Sequence, residues 1–129
     1  MAKQSPNYCG EIASGKGQER PRNDIWEVIY LQTLVTCRLL PEREKFNLSS
    51  QIERAATSIV LNIAEGSTGQ PNAEQNRFLG LALRSYLETI ACCDVIERRA
   101  YIPKESLLPF REQGHQLFIK LSAFRKALK

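Results

Sequence analysis

Residues 46–66 carry two different surfaces on what the spacing predicts to be a single helix, and this confines the chain to folds that cover such a helix on more than one side. Leu48, Ile52, Ala55, Ile59 and Ile63 recur at intervals of three and four, the stripe of a helix packed on a core. Gln51, Arg54, Ser58, Asn62 and Glu65 form a second, polar row beside that stripe rather than opposite it. Ala56, Thr57, Val60, Leu61 and Ala64 fill most of the remaining circumference, with Ser50 and Glu53 the exceptions. Asn47 is placed to cap the first turn, and Gly66 stands where a left-handed residue would close the last one.

Three more helical patterns accompany it. Asp24, with Glu27 three residues on, opens a helix expected over about 24–40 and ended by Pro41. Ile25, Val28, Ile29, Val35 and Leu39 are expected to make its inward face, while Trp26, Tyr30, Leu31, Leu34 and Cys37 leave little of the rest polar. After the charged connection Glu42-Arg43-Glu44-Lys45 and the helix at 48–65, the turn Ser67-Thr68-Gly69-Gln70-Pro71 leads to Asn72 and Gln75, a second capping box. The helix it opens, about 73–99, carries Phe78, Leu79, Ala82, Tyr86, Ile90, Cys93 and Ile96 or Val95. Pro103 closes the next connection, and a helix at about 104–128 alternates threes and fours without a break through Leu107, Phe110, Gly114, Leu117, Leu121, Phe124 and Leu128. Gly114 in that seam admits a close neighbour, and Pro109 is expected to leave the first turn irregular. Short connections force neighbouring helices to run antiparallel, so the expected fold is all-α, an up-down-up-down four-helix bundle over residues 23–129. Residues 1–22 are polar, rich in glycine and without periodicity, and are expected to form a flexible tail.

At 129 residues, 43% apolar and 25% charged, the chain has the composition of one globular domain. Charged residues interrupt every apolar run before it reaches membrane-spanning length. The opening Met1-Ala2-Lys3-Gln4-Ser5-Pro6 lacks the apolar centre of a secretory signal, so a cytoplasmic location without membrane contact is expected. Cys9, Cys37, Cys92 and Cys93 have neither zinc-ligand nor disulfide-framework spacing; Cys37 and Cys93 read as core residues and Cys92 as partly exposed. Glu112 and His115 have the Glu-x-x-His spacing of carboxylate-bridged metal bundles, but such sites need two of these motifs and the chain has one histidine. No catalytic residue, metal or cofactor is expected. The net charge is +4, and from Arg98 onward eight basic residues face two acidic ones. Arg98, Arg99, Lys120, Arg125, Lys126 and Lys129 are the candidates for phosphate contact.

Phe46, Leu48-Ser49, Gln51-Ile52, Arg54-Ala55-Ala56, Ser58-Ile59 and Asn62-Ile63-Ala64-Glu65-Gly66 together resemble the signature of four-helix-bundle proteins encoded by intervening sequences in bacterial large-subunit ribosomal RNA genes. Arg77-Phe78-Leu79, Ala82-Leu83, Ser85, Glu88 and Tyr101-Ile102 extend the likeness, which covers about residues 24–128. Val60 replaces a common proline, Asn47 and Arg84 common glycines, and Glu53 a usually basic residue. The resemblance implies an antiparallel bundle, often a homopentamer, without enzymatic activity. It also implies kinship with accessory proteins of diversity-generating retroelements, which bind nucleic acid and a reverse transcriptase. RNA or DNA and a reverse transcriptase are therefore the expected partners, the alternative being a protein-interaction module with no nucleic-acid role. The polar row Gln51, Arg54, Ser58, Asn62 and Glu65 is expected to be a packing network or subunit interface before a ligand site, with Arg54 or Arg77 paired to Glu65. Trp26, Tyr30, Leu34 and Leu61 are the expected oligomer contacts.

Overall fold

The computed structural model describes residues 23–128 apart from Ser67, with side chains from Glu27 onward. The expected tail over residues 1–22 and the roles given to Cys9, the Asp24 side chain, Trp26 and Lys129 lie outside the described residues. Among the described residues the order is α1 (Asn23–Leu39), a one-turn 3-10 helix (Glu42–Glu44), α2 (Leu48–Glu65), α3 (Asn72–Arg98) and α4 (Lys104–Ala127), with no strand. Each helix packs on two others in a closed ring: α1 on α2 and α4, α2 on α3, and α3 on α4. The α2–α3 contact is the most extensive. Ser58 meets Ser85 and Glu44 meets Arg99, so α3 descends as α2 rises. Arg111 meets Asp94 and Glu97 while Arg125 meets Asn76, so α4 likewise runs against α3.

The fold is an all-α four-helix bundle, and its core follows the apolar stripes on α2 and α4. Leu48, Ile52, Ala55, Ile59 and Ile63 are all buried, as are Leu107, Phe110, Leu117 and Leu121. Gly114 lies where a Cβ would come within 2.7 Å of the Tyr86 ring, so the glycine makes room for that ring. On α1 the inward row differs from the expected one. Ile29, Thr33, Thr36 and Leu40 are buried, whereas Val35 and Leu39 are exposed. Position 35 lies six residues beyond Ile29, about 240° around a helix of 3.6 residues per turn, so the two cannot share a face. Buried threonine is tolerated because its hydroxyl finds a partner within the helix: Thr33 donates to the Ile29 carbonyl at 2.9 Å and Thr36 to that of Gln32 at 2.8 Å.

The helix ends also depart from expectation. Asn47 precedes α2 but makes no side-chain cap; its amide is engaged by Glu44 and Gln51. Gly66 is right-handed, φ −75° and ψ −2°, and is glycine for another reason. A Cβ there would stand 2.8 Å from Cβ of Phe78, so α2 and α3 converge on the missing side chain. Asn72 is the first residue of α3 rather than its cap, and its amide donates to the Leu128 carbonyl at the end of α4. Cys92 is buried, not partly exposed. α4 runs as one helix through Pro109, whose missing N–H costs one bond to a carbonyl of the solvent-facing first turn. After α3 the chain turns through Ala100 at φ 59°, where the Tyr101 N–H reaches the Ile96 carbonyl at 3.1 Å. This is a Schellman closure with alanine in the place usually taken by glycine.

Candidate functional site

The polar row on α2 lies along its junction with α3 and divides into two parts. Ser85 donates to the Ser58 hydroxyl at 2.8 Å, and the Asn62 amide donates to the same hydroxyl at 3.0 Å and to the Ser58 carbonyl at 2.9 Å. Ser85 is buried and Ser58 and Asn62 half-buried, so these three form a hydrogen-bonded seam between the helices. Gln51, Arg54 and Glu65 are exposed instead. Gln51 donates to the Asn47 amide oxygen at 3.0 Å. The pairing expected for Glu65 is not made. Arg77 stands 2.8 Å from Glu74, and Arg54 has no carboxylate partner among the described residues. The end of α2 is closed by Thr68 and Gln70, whose side chains donate to the Glu65 carbonyl.

Along the same junction, α2 and α3 line a groove of about 560 Å³. Gln51, Arg54 and Ser58 form one wall, Glu88 and Val95 belong to the other, and Asn47 and Arg99 line the end where both bond to Glu44. Cys92 lines it as well, but burial and then the nearby Glu88 charge push its thiol up. Burial pushes its neighbour Cys93 to about 12. Neither is an activated nucleophile, since that chemistry needs a thiolate near neutral pH.

That end of the groove is held by a residue that sequence reading treated as part of a charged connection. Glu44 is only 3% exposed. Its Oε2 accepts from Tyr101 Oη at 2.6 Å and Arg99 Nη1 at 2.8 Å, and its Oε1 from Asn47 Nδ2 at 3.0 Å and the Leu48 N–H at 3.4 Å. The Tyr101 bond, with help from Leu48, Asn47 and Arg99, holds the Glu44 carboxyl below its ordinary range despite the opposing effect of burial. Arg43 donates to the same tyrosine hydroxyl at 3.3 Å. Glu44 thus caps α2 and ties the α1–α2 connection to the α3–α4 turn. The sequence signal was an acid just before a helix start; its partners more than fifty residues away left none.

Among the described residues, the five basic candidates Arg98, Arg99, Lys120, Arg125 and Lys126 do not form one patch. Arg98 and Arg99 stand at the Glu44 end, while Lys120, Arg125 and Lys126 lie toward the other, where Arg125 meets Asn76 and Asn72 meets Leu128. A helix the length of α3, 27 residues, spans about 40 Å at 1.5 Å per residue. Arg99 is committed to Glu44, and Arg125 is half-buried, donating from Nε to Asn76 with its guanidinium over Gly80. Arg98, Lys120 and Lys126 are exposed. Of the expected oligomer contacts, Tyr30 and Leu34 are half-buried on the flank of α1, and Leu61 is 61% exposed on α2. The larger apolar surface was missed: Leu31, Val35 and Leu39 are 52%, 51% and 56% exposed along α1, on the side away from its buried row.

His115 is exposed and stacks on Phe118 with ring centroids 6.5 Å apart. Among the described residues no group of three His, Cys, Asp or Glu side chains is placed to hold a metal ion. None of the helices described is long and apolar enough to cross a membrane. The sequence model of the 23S rRNA-intervening sequence proteins matches residues 23–123. No curated protein matches the chain.

Proposed function

The chain belongs to the family of 23S rRNA-intervening sequence proteins, and from that premise we propose that it is a non-enzymatic, self-associating scaffold that binds RNA, alone or in a nucleoprotein complex such as a reverse transcriptase with its RNA. The outer face of α1 carries this reading. Leu31, Val35 and Leu39 each leave more than half of their surface in water, opposite a row that is already buried. A contiguous apolar row of this kind is the surface that copies of a subunit cover in one another. With Leu61 it would supply the contacts of a homo-oligomer, for which five copies is the expected number. Assembly multiplies the net charge of +4 carried by each chain. That concentrates positive potential where phosphate can meet it.

Fluorescence anisotropy with a labelled single-stranded RNA at two salt concentrations tests the proposal. If phosphate contact dominates, the slope of log K against log salt is roughly −0.7 for each phosphate neutralised. Arg98→Glu combined with Lys126→Glu, both exposed in the subunit, should weaken binding for all sequences alike without changing helicity. Assembly without RNA binding at low salt would leave a protein-interaction module in its place.

A further inference from the structure

We propose that Phe46, next in the chain to Asn47 of the α2–α3 groove, is a stacking platform for an unpaired base of a single-stranded nucleic acid. The platform presupposes the RNA-binding role proposed above and gives it a location. Phe46 lies in the turn before α2 and is 88% exposed. By contrast, Phe110 and Tyr86 are buried, Phe78, Phe124 and Tyr101 are half-buried, and Phe118, 36% exposed, has its ring against Tyr86 and His115. A phenyl ring left in water adds nothing to the fold, and this one has a cation at its side. Lys45 Nζ stands 5.5 Å from the Phe46 ring centroid, and the Arg43 guanidinium stands 5.5 Å from that of Tyr101. Glu44, between Arg43 and Lys45 in sequence, is turned inward and satisfied by Arg99 and Tyr101. The same contacts bring the α3–α4 turn alongside, flanked by Arg98 and Lys104, both exposed and without a carboxylate partner among the described residues. Glu42 and Glu105 are the exposed carboxylates of these segments, and the cations outnumber them.

An aromatic face beside unneutralised cations matches a nucleotide, whose base stacks while its phosphate is held electrostatically. A purely apolar partner would take the ring and leave the cations unused. The strand has a path onward, since Asn47, next to Phe46, lines the groove together with Arg54, which is free to meet a further phosphate. The opposite end of the bundle offers less: Arg125 is packed against Asn76 and Gly80, and Arg77 is paired with Glu74.

Phe46→Leu keeps an apolar side chain and removes the π face, at a position too exposed to affect folding. Anisotropy with a fluorescein-labelled uridine oligonucleotide should show binding weakened by roughly 5- to 150-fold, the range for loss of one stacked base. Phe46→Trp should bind at least as tightly as wild type, and its emission, read against the Trp26 background of the wild-type chain, should be quenched as the RNA is added. Sedimentation of both variants should match wild type. Unchanged affinity in Phe46→Leu, beside wild-type RNA binding, would overturn the platform and leave the RNA-binding role standing. Dissociation of the assembly by Phe46→Leu would overturn it too, making Phe46 a subunit contact. Wild-type protein that binds no RNA would remove the role and the platform together.

Discussion

Gly66 separates two explanations of one glycine, and two substitutions distinguish them. If a left-handed turn required it, asparagine, which tolerates that conformation, would be the milder replacement and alanine the worse. The structure gives the reverse order, because φ is −75° and any residue can adopt it. The obstacle is space: a Cβ would lie 2.8 Å from Cβ of Phe78, 3.2 Å from the Asn62 carbonyl oxygen and 3.4 Å from that of Gln75. None of these is the far end of a flexible side chain, so α3 itself must move. Overpacking of this kind costs about 1–3 kcal/mol, while replacing glycine by alanine restores about 0.4–1 kcal/mol through the unfolded chain. The net loss for Gly66→Ala is thus centred on about 1.3 kcal/mol, with an upper bound of about 2.5 kcal/mol, a fall in Tm of roughly 4–8 °C at the centre for a domain of this size. Gly66→Asn, with three more heavy atoms to place, should fall further. Thermal unfolding followed by circular dichroism, at one fixed protein concentration so that any contribution of assembly to Tm is the same for each variant, reads both. An asparagine variant more stable than the alanine variant, or an alanine variant equal to wild type, would refute close approach as the reason for this glycine.

Glu44→Gln should lower Tm at neutral pH and flatten the acid limb of the stability curve. The folded-state pKa of Glu44 lies below its ordinary value, so its contribution is complete above the unfolded pKa, about 4.3, and is lost as pH falls through the lower folded value. The difference in Tm between wild type and variant should accordingly shrink from pH 7 to pH 3; a constant difference would mean that the carboxylate charge is not what matters. Val35→Glu with Leu39→Glu should leave helicity intact, since both side chains are exposed in the subunit, while shifting sedimentation toward the monomer. Unchanged assembly would take the outer face of α1 out of the interface.

The parts of this fold that were legible in the sequence were those in which apolar residues alone mark the core. The stripes from Leu48 to Ile63 and from Leu107 to Leu121 emerge as buried faces because nothing polar interrupts them. On α1 the same reasoning failed, since Thr33 and Thr36 satisfy their hydroxyls on the preceding turn and then pack like valines. The junction of α2 with α3 was readable as a polar row beside the core stripe. Its division into a bonded seam and a solvent edge depends on Ser85, which spacing on α2 could not name. Glu44 was hidden among neighbouring charges because Arg99 and Tyr101 reach it only after the chain has folded back twice. The spread of the basic residues after position 97 was not legible either: Arg98 and Arg99 stand at the end of α3, whereas α4 carries Lys120, Arg125 and Lys126 back toward the other end of the bundle.

Sedimentation velocity of the wild-type protein mixed with a fluorescein-labelled single-stranded RNA, followed at the dye wavelength in low and moderate salt, measures assembly and RNA binding in one experiment. The scaffold account predicts that at low salt the dye moves with a particle several times the 14.7 kDa mass of one chain and is released as salt rises. Dye that sediments as free RNA at low salt, or protein that sediments as a monomer with or without RNA, would contradict it.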